Sequence, residues 1–251
     1  MIQYEILKPS DDAAGRASRC AMAIMAKAPR AGKVKTRLAP PLTLEQSAAL
    51  NICFLRDTAE GLAEVAGADG MVCYTPVGDE TAFDGLLPES FTLIAQRGDK
   101  FGERLLAAAE DILACGYGSV CLIDSDSPTV PKAAFEQAVW ELARDGDRIV
   151  LGPSQDGGYY LIGLKRPHAE VFEDIAWSTA TVCEETVARA GAAGIEVVTL
   201  PLWYDVDDGA TLAVLCGELI DCRMPDFVAL PGYEAAHTKD FLIAMRETAT
   251  V

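Results

Sequence analysis

The chain is 251 residues long, 50% hydrophobic and 24% charged, an ordinary globular balance that allows one large α/β domain with a sizeable core. Its 21 basic and 38 acidic residues leave a net charge of −17. That balance excludes non-specific nucleic-acid binding, which needs Lys and Arg in excess, and attraction to anionic lipid. The longest strongly apolar run, Cys20–Ala26, is far short of the roughly 20 residues that span a bilayer, and the preceding Asp11–Arg19 is polar. The reading is therefore a cytoplasmic protein with no signal peptide and no membrane insertion.

In chain order, Ala21–Met25 reads as a buried strand. Thr43-Leu-Glu-Gln46 is a capping box, with Ala48, Leu50, Phe54 and Leu55 following on a helical period. Met71–Thr75 and Phe91–Ala95 read as strands, Gly102–Ala114 as a helix and Ser119–Ile123 as a strand ending at Asp124. Pro131 opens a helix running to about Arg144. Arg148–Leu151 and Tyr159–Leu164 read as strands, Thr179–Ala190 as a helix, Ile195–Leu200 as a strand and Gly209–Leu219 as a helix. Strands separated by helices of this length imply βαβ units and a mostly parallel sheet. The division expected is a polar extension over 1–19, one domain over 20–222, and a tail over 223–251, with a short helix, packed on that domain. The eight cysteines lack CxxC pairing and fall mostly in apolar segments, as reduced core residues do. With only two histidines, any metal is expected to be a hard cation on oxygen ligands. His168 and His237 read as surface residues at helix starts, without a role.

In open α/β sheets ligands sit beyond the carboxyl ends of the strands, which singles out five segments. In Lys27–Leu38, Lys27, Arg30, Lys33, Lys35 and Arg37 place five positive charges in eleven residues, while Pro29 and Gly32 keep the stretch from being helical. Such a loop suits a di- or triphosphate; the bland reading is a solvated loop. It is not a P-loop, because Val34 follows Gly32-Lys33. At Leu122-Ile-Asp-Ser-Asp-Ser-Pro128, Asp124 and Asp126 share one face if the strand persists and could hold Mg²⁺ or Mn²⁺ against phosphate. Asp205 or Asp207 could complete that site, with Asp208 capping the next helix. Asp156-Gly157 is a hairpin signal, and Gly158 and Tyr159 extend it into a loop that could admit a sugar, with Asp156 as base or hydroxyl acceptor. Gln96–Arg104 offers Gln96, Asp99 and Arg104 as ligand contacts, or is simply a strand-to-helix loop with Asp99 near the cap. Trp177-Ser178 reads as a helix start capped by Ser178, although Trp177 could wall an acceptor pocket.

With these segments in this order, over roughly residues 20–215, the chain resembles the bacterial glycosyltransferase-A-like group of radical-SAM/selenodomain-associated transferases. That group lies within the nucleotide-diphospho-sugar transferase superfamily. The matching residues are Ala26-Lys-Ala-Pro, Gly32-Lys-Val-Lys-Thr-Arg-Leu38, Gly98-Asp99, Gly102-Glu-Arg104, Asp126-Ser-Pro128, Gly152-Pro, Asp156-Gly-Gly-Tyr-Tyr160, Gly163-Leu164, Trp177-Ser-Thr179 and Asp205-Val-Asp207. The resemblance implies a single-domain Rossmann-like αβα sandwich, a nucleotide on the first loop and a divalent metal at the Asp-x-Asp position. The group more often has glycine where this chain has Asp124, which favours Asp126 as ligand. The expectation is a metal-dependent transferase with a nucleotide-sugar donor and a small-molecule acceptor, Lys33, Lys35 and Arg37 neutralising the diphosphate. The alternatives are a nucleotidyltransferase joining an NTP to a small phosphorylated acceptor, or a non-catalytic nucleotide binder. Oligomeric state stays open.

Overall fold

The computed structural model describes residues 3–9 and 15–249. Among these, eight strands form one sheet: β1 (Glu5–Ile6), β2 (Cys20–Lys27), β3 (Ala68–Thr75), β4 (Thr92–Ala95), β5 (Ser119–Ile123), β6 (Arg148–Pro153), β7 (Tyr159–Leu164) and β8 (Glu196–Thr199). Six α-helices accompany them: α1 (Leu44–Ala63), α2 (Phe101–Ala114), α3 (Lys132–Ala143), α4 (Val182–Ala192), α5 (Gly209–Leu219) and α6 (Ala236–Ala249). The strand order is β1-β4-β3-β2-β5-β7-β6-β8. Every neighbouring pair is parallel except those that β7 makes with β5 and β6. The α/β class and mostly parallel sheet expected from the sequence are what the chain forms.

Alternation along the central strands builds two cores. Met22 and Ile24 of β2 and Cys121 and Ile123 of β5 face one way, against Phe54 of α1, Phe135 of α3 and Leu215 of α5. Ala21 and Ala23, with Val120 and Leu122, face the other way, against Leu105 and Ile112 of α2. Both faces of β2 and β5 are buried, so these strands read as continuous apolar runs rather than alternating ones. The helices thus cover both sides, and polar side chains collect at the strand ends.

Two caps follow the sequence. Thr43 Oγ1 accepts from Gln46 N at 3.2 Å, and Gln46 Oε1 accepts from Thr43 N at 2.8 Å. Asp208 Oδ1 accepts from Ala210 N and Thr211 N, both at 2.9 Å. Two others differ. Helix α4 begins at Val182, after Ser178, whose φ of 65° is left-handed rather than capping. At α2 the capping carboxylate is Glu103, which accepts from Asp99 N and Lys100 N at 3.1 and 3.2 Å.

Of the segment read as a polar extension, residues 1–2 and 10–14 lie outside the described residues, and residues 4–7 contact the sheet and its flank. β1 pairs with β4, Leu7 N donates to Leu93 O at 2.8 Å, and the buried Tyr4 hydroxyl donates to Leu87 O at 2.6 Å. Too few apolar residues surround this two-residue strand for a periodicity to register. At the other terminus α6 packs on α1. Both Asp57 carboxylate oxygens accept backbone N–H groups of its first turn, from His237 at 2.9 Å and Thr238 at 2.8 Å. His168 is not a surface residue: its side chain is 12% exposed and its Nε2 lies 3.1 Å from Asp147. No helix among the described residues is long and apolar enough to cross a membrane.

Candidate functional site

The five chemistry-bearing segments meet along the carboxyl edge of the sheet. The turn between β6 and β7 belongs there because β7 runs antiparallel and begins at that edge. Two adjoining cavities open here, of about 270 Å³ and about 350 Å³. Met25, Arg37 and Asp207 line both.

The smaller cavity is basic. Lys27, at the end of β2, lines it together with Lys33, Lys35, Arg37, Asn51 and Asp126. Gly32 shapes the loop with a φ of 72°, in the region glycine favours. Arg30 turns outward to Asp79 at 2.5 Å. Lys35 organises the site. Its side chain is 4% exposed, and Nζ lies 2.9 Å from both Asp126 Oδ2 and Asp207 Oδ1 and donates to Val206 O at 2.7 Å. Burial alone would lower its pKa, but Asp126 and Asp207 outweigh burial and raise it above the usual lysine value, so the ammonium stays charged. Arg37 donates to Asp207 Oδ2.

The larger cavity is acidic and aromatic. Asp124, Asp156 and Asp205 line it with Asp207, and Phe101, Tyr159 and Trp177 supply aromatic rings. Trp177 meets Phe101 edge-on at 5.1 Å between centroids and Tyr159 at 6.4 Å. Two glycines allow this wall. A Cβ on Gly102 would stand 2.7 Å from Trp177 Nε1, and one on Gly157 (φ 91°) would stand 2.0 Å from Ala180 O. Either substitution would force the Trp177–Val182 segment away. Asp156-Gly157 forms the expected turn: Gly158 N donates to Asp156 Oδ1 at 2.8 Å and Ser154 N to Gly158 O at 3.0 Å.

The carboxylates do not share one face as strand periodicity suggested. The extended chain ends at Ile123, where Asp124 takes up a turn: Oδ1 accepts Asp126 N at 3.3 Å and Oδ2 accepts Ser127 Oγ at 2.8 Å. Asp124 thereby faces the acidic cavity and Asp126 the basic one. Burial first, then the charges of Asp126 and Asp205, push the Asp124 pKa well above the carboxylate range. Burial first, then Asp156 and Asp207, push Asp205 up to about 6, although its Oδ1 accepts Ser154 Oγ at 3.0 Å. Burial would also raise Asp207, but Lys35 and Arg37 reverse this and hold it below the usual value.

Oxygen-only donors suit a hard divalent cation, and Asp124 and Asp205 carry the repulsion such an ion relieves. No ion pair among the described residues reaches either. A magnesium site with one or two carboxylates plus substrate phosphate needs no protein cage. Consistent with that, no three of these carboxylates bring ligand atoms within 4.8 Å; among the described residues only Asp57, Glu60 and His237 do. That group lies where α6 meets α1, with Asp57 engaged as a helix cap.

Four expected nucleotide contacts, Gly32, Gln96, Asp99 and Arg104, line neither cavity. Gln96 Nε2 donates to Cys73 O at 2.7 Å. Asp99 O accepts from Arg104 Nη1 at 3.2 Å, and the Arg104 guanidinium lies 5.8 Å from the Phe101 ring centroid. Phe101, Ser154 and Asn51 were not singled out from the sequence. Phe101 beside Gly102 was the readable sign, an aromatic next to a residue that clears space.

The fold is that of the nucleotide-diphospho-sugar transferases. The protein-family comparison matches residues 58–179 to "Uncharacterized protein conserved in bacteria (DUF2064)". Among solved structures, an inferred nucleotide-diphospho-sugar transferase from Desulfovibrio desulfuricans G20 is 32% identical, with a TM-score of 0.76 over 91% of this chain and 97% of that one. The chain belongs to one family with that protein. A CMP:2-keto-3-deoxy-manno-octonic acid synthetase complexed with CTP shares the fold at 15% identity, with a TM-score of 0.52 over 80% of this chain and all of that one. The curated "Probable protein phosphatase 2C 6" of Oryza sativa subsp. japonica is 32% identical over 183 residues, 72% of this chain. The chain spans about a third of that relative's length, 31%.

Proposed function

We propose that the protein is a metal-dependent transferase that uses a nucleotide-activated donor, most naturally a nucleotide sugar, as in the selenodomain-associated transferases it resembles. The observation that carries this is the position of Lys35, a buried cation held between Asp126 and Asp207 where a basic cavity adjoins an acidic one. The name of the Desulfovibrio relative supports the same class.

In this reading Lys27, Lys33, Lys35 and Arg37 bind the donor's phosphates, and Gly32 lets the loop approach them. One or two of Asp124, Asp126, Asp205 and Asp207, with the donor's phosphates, would hold Mg²⁺ or Mn²⁺, which would supply Lewis-acid stabilisation of charge on the leaving diphosphate. Lys35 keeps Asp126 and Asp207 in place and stabilises charge where the diphosphate departs. Asp156 accepts the acceptor's hydroxyl, Tyr159 and Trp177 flank it, and Gly157 and Gly158 leave room for it. Gln96, Asp99 and Arg104 stand back from both cavities, so a nucleotide role for them requires the β4–α2 loop to move. A cytoplasmic location belongs to the same reading, supported by eight cysteines that are all free thiols.

The test is thermal denaturation with nucleoside diphosphates, triphosphates and nucleotide sugars, each with and without Mg²⁺ or Mn²⁺. A ligand at 100 times its Kd adds about 2.7 kcal/mol to stability. A metal-dependent rise with one nucleotide sugar is expected; a rise with an NTP alone would favour the nucleotidyltransferase. Asp126→Asn should lower turnover on the order of 10²-fold with an unchanged circular-dichroism spectrum. Full activity in that variant, or no stabilisation by any nucleotide, would reject the reading.

A further inference from the structure

Resting on the transferase reading, we propose that the larger cavity takes an uncharged, hydroxyl-bearing acceptor, a sugar or polyol carrying neither phosphate nor carboxylate. Charge is sorted between the two cavities. The basic one gathers four cations, Lys27, Lys33, Lys35 and Arg37, beside Asp126 and Asp207. The larger one gathers four carboxylates, Asp124, Asp156, Asp205 and Asp207, and among the described residues its single cation is Arg37. Arg37 is already ion-paired with Asp207 and stands at the boundary between the two. An anionic acceptor would therefore meet Asp156 and Asp205, which no ion pair among the described residues reaches, with no unpaired cation lining the cavity to receive it, which is how a site rejects a wrong ligand.

Asp156, in the β6–β7 turn, is not among the residues that would hold a divalent ion, so its charge would remain with the cavity when an ion is bound. The remaining lining suits a neutral polyol. Rings of Phe101, Tyr159 and Trp177 offer apolar faces for C–H groups. Ser154, Ser178 and Thr179 offer hydroxyls, and the carboxylates accept hydroxyl protons. At about 350 Å³ the cavity is at the small end of ligand pockets.

The sorting also bears on the reaction. Nucleotidyl transfer brings two anions together, a triphosphate and an attacking phosphate. Glycosyl transfer brings one anion and a neutral nucleophile, and the site has cations for one anion. In that step a C–O bond forms between an acceptor oxygen and the donor's anomeric carbon. That carbon's bond to the phosphate oxygen breaks, the acceptor's hydroxyl proton passes to Asp156, and the nucleoside diphosphate leaves on the basic side.

The experiment is ligand-observed saturation-transfer NMR on the full-length protein with Mg²⁺. The probes are a panel of neutral methyl pyranosides, methyl pentofuranosides and glycerol, each beside its phosphate ester and its carboxylate analogue. At least one neutral probe should give a signal that Trp177→Ala removes, with the charged analogues at least tenfold weaker. Asp156→Asn, which keeps the size of the side chain, should narrow that gap at least threefold; its melting curve checks folding. A charged analogue that binds the Trp177-dependent site as well as its neutral parent overturns the proposal. So does the absence of any Trp177-dependent neutral binder, or an unchanged gap in Asp156→Asn. Titration of nucleoside diphosphates in the same samples separates the two readings. Nucleotide binding with failed acceptor discrimination sinks this proposal alone, whereas loss of nucleotide binding sinks the transferase.

Discussion

Lys35 is held by opposing demands, since its backbone has a φ of 47°, unusual for a lysine, and its ammonium is buried yet charged. Three acceptors hold it there, and removing it leaves Asp126 without a cation and Asp207 with Arg37 alone. Lys35→Ala should therefore lower stability by about 2 kcal/mol, below the 3–5 of a fully buried pair because both carboxylates are about a third exposed. Nucleoside diphosphate binding should weaken at least tenfold. The same carboxylates then become a better cation site, so Mg²⁺ should raise the melting temperature more in Lys35→Ala than in wild type. Equal metal effects in the two proteins would mean that Lys35 does not compete for that site. Asp205 gives a second residue-scale prediction, for protein stripped of metal with a chelator. Its folded pKa of about 6 lies above the ordinary 3.8. Its contribution to stability is present below about pH 4 and is lost as pH rises through 6. Between pH 5 and 8 the metal-free wild type should lose about 2–4 °C more in melting temperature than Asp205→Asn. Parallel curves for the two proteins would show that Asp205 is not raised.

At the scale of elements, the β6–β7 hairpin and the chain entering α4 form one unit. Cys183 N donates to Gly157 O at 2.8 Å, and Gly157 has no room for a Cβ against Ala180 O. Gly157→Ala adds both a left-handed strain and that clash. It should cost about 1–3 kcal/mol and raise the acceptor KM while leaving nucleotide binding within twofold. If the variant loses nucleotide affinity as well, the two cavities are not independent. The Asp156-Gly157 turn was readable because Asp and Gly are turn residues, although the loop spans residues 154–158 rather than the two of a tight hairpin, with Gly157 supplying the positive φ. So were the central strands, whose burial on both faces leaves solid apolar runs, and the caps at Thr43 and Asp208, which depend on neighbours in sequence. Burial of Lys35 was not, because its partners Asp126 and Asp207 are 91 and 172 positions away. Nor was the turn at Asp124, where side-chain hydrogen bonds override strand periodicity, and β1 is too short to show a period at all. The segments were legible and their convergence on one edge followed from topology. The separation of charge into two cavities depends on side-chain directions that spacing does not encode.

At the scale of the whole molecule, a chain of net charge −17 is expected to bind an anion. The two fields act over different ranges. At about 10 mM ionic strength the Debye length is about 30 Å, so the repulsion of the entire surface reaches an approaching nucleotide; at about 150 mM it is about 8 Å, and only the local cluster of Lys27, Lys33, Lys35 and Arg37 is felt. Salt should therefore relieve the long-range repulsion before it weakens the short-range attraction. The association rate of a fluorescent nucleoside diphosphate, followed by stopped flow at fixed Mg²⁺, should rise between these two ionic strengths. Lys33→Gln should lower the rate mainly at the higher one, where the local cations dominate. A steered site shows the opposite, a rate that falls steeply with salt. That behaviour would mean the basic cavity projects its own field past the acidic surface, and the entry path would then have to lie over the first loop rather than across the carboxylate-lined cavity.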